Sequence, residues 1–117
     1  MTHAIITALI CVNLCTPTQV KVWDGDSIRI GAESVRIANI DAPEIDGRCD
    51  YETRLAQRAK ARLAAILASG KVVITRHKLD KYRRTLAFIT VDGRDVGDQL
   101  VAVGLARTWT GRREPWC

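Results

Sequence analysis

The chain has no apolar run near the roughly 18 residues a membrane-spanning helix needs, which excludes a helical span. Histidine is scarce. His3 and His77 are the only two, and both lie far in sequence from the Cys11–Cys15 pair. The four cysteines, Cys11, Cys15, Cys49 and Cys117, fit no zinc-ligand spacing, since the nearest pair is four residues apart. A structural zinc is therefore set aside. Repeats, low-complexity stretches and linkers are absent, which leaves one small domain. Aromatic residues make up only 5% of the chain. That argues against an aromatic cage of the kind that reads methylated arginine.

What is present suits a compact basic domain. The 117 residues are 47% apolar, enough for one modest core. The formal charge is +5, from 18 basic and 13 acidic residues, and most of the cations are arginine. A basic surface rich in the better bidentate phosphate ligand points toward a polyanionic partner, though it is also compatible with an ordinary solvated surface.

An even number of cysteines in a small domain permits disulfides, with three connectivities open. Cys49 in a polar loop and Cys117 at the last position are expected to be exposed, which favours an oxidising compartment over four reduced thiols. Ala4 to Leu14 is apolar and has the length of a signal-peptide core, but no Lys or Arg precedes it and no clear cleavage site follows. Residues 1–16 are thus read as either a signal remnant or a first strand, and 17–117 as the folded domain. Export to the periplasm or medium is the expectation, with a cytoplasmic location as the alternative.

Gln19 to Trp23 reads as a strand, and Ser27 to Ile30 alternates with period two. Gly31-Ala32-Glu33 can turn, and Val35 to Ile40 forms the partner strand, ended by Pro43. From Tyr51 to Ser69 the pattern turns helical, with Leu55, Ala59, Leu63, Ile66 and Leu67 on one stripe. Asp50 is placed as N-cap and Gly70 at C′. Arg54, Arg58 and Arg62 flank the stripe and read as a solvated face. Lys71 to His77 and Thr85 to Val91 are two more strands. A short helix carries Val96, Leu100 and Val103, with Gly104 after it. The expected fold is α+β: a five-stranded Greek-key barrel of the OB type, with one long helix between strands 3 and 4 and a short helix after strand 5.

Three segments hold the unusual residues: Trp23-Asp24-Gly25-Asp26-Ser27, Arg36-Ile37-Ala38-Asn39-Ile40-Asp41-Ala42-Pro43-Glu44, and Asp80-Lys81-Tyr82-Arg83-Arg84. An antiparallel pairing can bring Asp26 and Asp41 side by side. Two carboxylates, backbone carbonyls and waters suit a hard ion such as Ca²⁺ or Mg²⁺. The competing reading is a plain Asp-Gly-Asp turn and a plain Ala-Pro-Glu strand exit. Arg36 alternates with apolar residues, so its guanidinium needs an anionic partner or ligand. Carboxylates for a metal, one further Glu and two arginines are what phosphodiester hydrolysis requires.

In these segments, and in Val101 to Ala106, the sequence resembles the staphylococcal nuclease (thermonuclease) family over roughly Val20 to Trp109. The resemblance implies an OB barrel and a Ca²⁺-dependent nuclease acting on DNA and RNA with little sequence preference. It implies cleavage of the 5′ P–O bond, leaving 3′-phosphate ends. On the matching positions it implies Ca²⁺ ligands at Asp26, Asp41 and the Ala42 backbone carbonyl, with Asp24 acting through water. It implies Glu44 as general base, Arg36 and Arg84 on the scissile phosphate, and Lys81 and Tyr82 near a terminal phosphate. A monomer is expected.

The chain departs from the family pattern at several points. Ser27 replaces Thr, and Arg83 stands where Gly is usual. The loop after Glu44 is shorter, and the tail after Trp109 is too short for the family's last helix. Trp109 and Trp116 are expected to pack the barrel end rather than stack on a base. A non-catalytic nucleic-acid-binding OB module is the alternative, disfavoured because Asp26, Arg36, Asp41, Glu44 and Arg84 are all present.

Overall fold

The computed structural model describes residues 4–117. Residues 1–3, the start of the 1–16 segment, lie outside it. Nine strands and two helices follow in the order β1 (Ala4–Cys11), β2 (Cys15–Asp24), β3 (Ser27–Ile30), β4 (Glu33–Ile37), β5 (Ile40–Asp41), α1 (Asp50–Leu67), β6 (Lys71–Leu79), β7 (Thr85–Val91), β8 (Arg94–Asp95), α2 (Val96–Ala102) and β9 (Arg107–Thr108). The main sheet runs β4-β3-β2-β1-β6-β7-β8 and closes into a barrel where β7 pairs in parallel with β4. No helix among the described residues is long and apolar enough to cross a membrane.

The barrel has six strands rather than the expected five. Ala4–Cys11 supplies the extra one, pairing with β2 from Ala4↔Val22 to Cys11↔Cys15. Its length is ambiguous in sequence, because a strand of eight and a signal core look alike. A disulfide between Cys11 and Cys15 closes the hairpin end, and a second joins Cys49 to Cys117, so no described cysteine is free. The long helix consequently lies between the fourth and fifth barrel strands, and the short one follows the two-residue β8.

Inward residues of alternating strands, Val20, Val22, Ile28, Val35, Ile37, Val72 and Ile89, form the barrel interior with Ala8. α1 covers the barrel against β2 and β1 with the expected stripe, and Leu55, Ala59, Leu63, Ile66 and Leu67 are all buried. Arg54, Arg58 and Arg62 are exposed. The caps differ from expectation. Cys49 is the N-cap, in extended geometry and without a side-chain bond, while Asp50 and Glu52 place negative charge in the first turn. At the other end Ser69 Oγ donates to the Ile66 carbonyl at 2.6 Å, and Gly70 does not adopt the left-handed conformation. A Cβ there would instead meet the Asp92 carboxylate, which would have to shift. α2 buries Val96 and Leu100 but stops at Ala102, leaving Val103 exposed ahead of the left-handed Gly104.

Candidate active site

The Asp24-Gly25-Asp26 turn is held down on the helix. A Cβ on Gly25 would lie 2.8 Å from the Ala59 Cβ and 3.0 Å from the Ala42 Cβ, so only glycine lets the turn pack there. This seats Asp26, which is buried, beside the strand exit at Ala42. The Ala42 N–H donates to Asp26 Oδ2 at 3.0 Å, and the Asp26 N–H donates to Asp24 Oδ1 at 3.3 Å. Asp41, next to Ala42, is buried on the short β5 ribbon, where it pairs with Arg107 of β9. The negative charge of Asp26 is felt by Asp24, Asp41 and Glu44. Asp24 is pushed up to about 8 by burial and by Asp26 beside it. Burial also raises Asp41 and Glu44, opposed in both cases by Arg113, with Asp26 adding to the rise.

Across from the acids stand the arginines. Arg36 Nη2 lies 3.7 Å from Asp26 Oδ2, and its Nη1 donates to the Ile37 carbonyl at 2.8 Å. Parallel pairing sets Arg36 against Leu86, two residues past Arg84. Arg84 is aimed by Asp80, whose Oδ2 accepts from Arg84 Nε at 2.8 Å and whose Oδ1 accepts from the N–H groups of Tyr82 and Arg84 at 2.9 Å. Burial raises the Asp80 pKa, but these bonds outweigh it and hold the carboxyl below its usual range. Arg36, Lys81, Tyr82, Arg84, Trp109 and Arg113 line one cavity of about 450 Å³. The Arg36 guanidinium lies 5.1 Å from the centre of the Trp109 ring, and Tyr82 carries Lys81 and Arg84 at 5.2 and 5.6 Å. Every candidate side chain thus falls either on the acidic centre (Asp24, Asp26, Asp41, Glu44) or on the cavity beside it (Arg36, Lys81, Tyr82, Arg84). Trp109 departs from expectation: it is 36% exposed and flanks the cavity, whereas Trp116 packs on the core.

Three further residues were given no role in the sequence. Glu52 is buried, and its carboxylate accepts the N–H of Glu44 at 2.9 Å and of Arg48 at 3.1 Å. It therefore ties the short Glu44 loop to the first turn of α1. Only with Cys49 as N-cap does it fall at the third helical position; with Asp50 read as the cap, that spacing was not visible. Asp80 could be found by its i, i+4 spacing to Arg84. Arg113 gave no signal. It reaches Asp41 Oδ1 at 3.0 Å, Glu44 Oε1 at 2.9 Å and Glu52 Oε2 at 3.9 Å from a tail without periodicity.

The model of the family described as "Staphylococcal nuclease homologue" matches residues 34–115. The chain belongs to that family. Among proteins of known name, the domain is 34% identical over 94 residues to the SPbeta prophage-derived endonuclease YokF of Bacillus subtilis, covering 74% of this chain and 32% of the relative. It is 33% identical over 102 residues to Endonuclease YncB of the same organism, covering 81% of this chain and 48% of YncB. An uncharacterized endonuclease of Haemophilus influenzae is 32% identical over 92 residues, covering 74% of this chain and 48% of that protein. The matched region spans 32% to 48% of the length of these relatives.

The donor set of this family domain suits a hard cation. Every candidate donor is an oxygen, and the cysteines are consumed in disulfides, which leaves no thiolate for a softer metal. Among the described residues no three His, Cys, Asp or Glu side chains converge as a ready-made ligand cluster. Two carboxylates with a backbone carbonyl and water make a donor set that would suit such an ion.

Proposed function

We propose that the protein is a Ca²⁺-dependent endonuclease that hydrolyses phosphodiester bonds of DNA and RNA with little sequence preference and leaves 3′-phosphate ends. The observation that carries this reading is the shared geometry of acids and guanidiniums. Asp26, hydrogen-bonded to the backbone beside Asp41, faces Arg36 at 3.7 Å, and Arg36 lines the same cavity as Arg84.

Asp26, Asp41 and the Ala42 carbonyl would hold the ion, with Asp24 acting through water. When bound, the ion supplies Lewis-acid polarisation of a phosphoryl oxygen. Glu44 takes the proton of the attacking water on its carboxylate, which Glu52 positions by fixing the Glu44 backbone N–H. Arg36 and Arg84 are held in place before substrate arrives, Arg36 by the Ile37 carbonyl and Arg84 by Asp80, and they stabilise the charge growing on the phosphate oxygens. Lys81 and Tyr82 line the same cavity, where a terminal phosphate and its nucleotide would be bound. The protein acts as a monomer in an oxidising compartment, periplasmic or extracellular, where two disulfides persist.

The test is digestion of single-stranded DNA and of RNA across a Ca²⁺ titration, with end-group analysis of the products. Cleavage with 3′-phosphate ends is expected. Salt-dependent binding to both nucleic acids without cleavage at any Ca²⁺ level would instead establish a binding module. Free thiols in protein isolated from its source, trapped by alkylation before lysis, would overturn the compartment.

A further inference from the structure

The C-terminal tail is pinned at both ends over the acidic centre. At its start, Arg107 pairs with Asp41 across the β5–β9 ribbon. At its finish, Cys117 is bonded to Cys49 at the head of α1. Between these points Arg107 Nη1 donates to the carbonyls of Glu114 and Pro115 at 3.2 and 3.0 Å, and its guanidinium stacks 3.7 Å from the centre of the Trp116 ring. This bracing delivers the Arg113 guanidinium onto three carboxylates at once, of which Asp41 and Glu52 have side chains only 4% and 6% exposed. Arg113 also lines the cavity that holds Arg36 and Arg84.

We propose that Arg113 is a built-in counter-ion that competes with the divalent cation for Asp41 and so sets the protein's affinity for that cation. The inference rests on the reading that Asp26 and Asp41 hold the ion. One Asp41 oxygen is already engaged by Arg113 at 3.0 Å. A divalent ion on the same carboxylate repels the guanidinium, so each ion that binds must displace or weaken that bond. Arg113 keeps Glu44 and Glu52 as partners when it yields Asp41. The tail is therefore a positioning element whose charge the metal must overcome, and the Cys49–Cys117 bond holds that charge in place.

Calorimetric titration with Ca²⁺, in the absence of nucleic acid, tests this on wild type, Arg113→Gln and Cys49→Ser/Cys117→Ser. Removing a charge-assisted bond that the ion has to break is expected to lower the Ca²⁺ Kd about tenfold in Arg113→Gln. The shift should be smaller but in the same direction in the cysteine variant. In parallel, the melting temperature of metal-free Arg113→Gln should fall below that of wild type, with the gap narrowing at saturating Ca²⁺. An unchanged or weaker Ca²⁺ affinity in Arg113→Gln overturns the proposal and leaves the metal reading standing, because a merely structural arginine would loosen the site when lost. Absence of Ca²⁺ binding in every protein, wild type included, overturns both. Should Arg113→Gln fail to fold, Arg113→Lys decides. Arg113 touches Asp41 and Glu44 through Nη1 while Nη2 reaches toward Glu52; a lysine, shorter and without the second nitrogen, holds Asp41 less firmly, so its Kd should fall about threefold, and a wild-type value overturns the proposal.

Discussion

Opening the Cys49–Cys117 disulfide should cost far more stability than opening Cys11–Cys15. The first links residues 68 apart in sequence and the second residues 4 apart. Chain-entropy reasoning gives about 4 kcal/mol for the long loop and about 2 kcal/mol for the short one at 25 °C. The short bridge also closes a hairpin already held along its length by β1–β2 pairing, so its loss should fall at or below that figure. The long bridge is backed only by the two-residue β5–β9 ribbon and the Arg113 and Arg107 contacts of the tail, not by a strand pairing along its length. Urea unfolding of Cys49→Ser/Cys117→Ser and Cys11→Ser/Cys15→Ser, compared at equal m-value, measures the difference. Losses equal within error, or a larger loss for the short bridge, would refute the loop-closure reasoning.

Other substitutions probe individual supports of the site. Gly25→Ala should destabilise by about 1–3 kcal/mol, since its Cβ would press on Ala59 and Ala42, and should lower Ca²⁺ affinity by lifting Asp26; thermal melts and calorimetry read both. Arg83 adopts φ 64°, so Arg83→Gly should relieve about 1 kcal/mol of backbone cost, visible as a raised melting temperature; a drop would contradict the strain. Asp80→Asn should reduce turnover by freeing Arg84, with little effect on Ca²⁺ affinity, as measured by single-turnover cleavage. The folded-state pKa of Asp80 lies below its ordinary 3.8, so the stability it contributes is complete above that value and is lost as pH falls through the lower folded-state one. Acid melts of Asp80→Asn should therefore lack part of the wild-type slope below about pH 4.

Legibility in the sequence followed how local the cause was. The helix α1 was visible because its apolar stripe repeats within one segment and remains buried. The acids and arginines were visible because each lies in a short motif beside a strand end. β1 was obscured because an apolar run of its length serves equally as a signal core, and its pairing with β2 and β6 depends on residues outside the run. Glu52 was hidden inside a helix where most charged residues, Arg54, Arg58 and Arg62 among them, face solvent. Arg113 was beyond reach, as it meets Asp41 across a separation of 72 residues through a tail that a disulfide folds back. Trp109 was misplaced for a related reason: its position is set by the β5–β9 pairing, with its N–H donating to the Asn39 carbonyl at 2.9 Å.

The central claim is that acids and paired guanidiniums act on one phosphate through a bound divalent ion. The most direct measurement is the single-turnover rate on single-stranded DNA in saturating Ca²⁺ for wild type, Arg36→Ala and Arg84→Ala, each repeated with chelator. The account predicts cleavage by wild type that chelator abolishes and restored Ca²⁺ recovers. It also predicts a loss of about 3 kcal/mol of transition-state stabilisation in either arginine variant. Cleavage that persists in chelator, or equal rates for wild type and either variant, would contradict it.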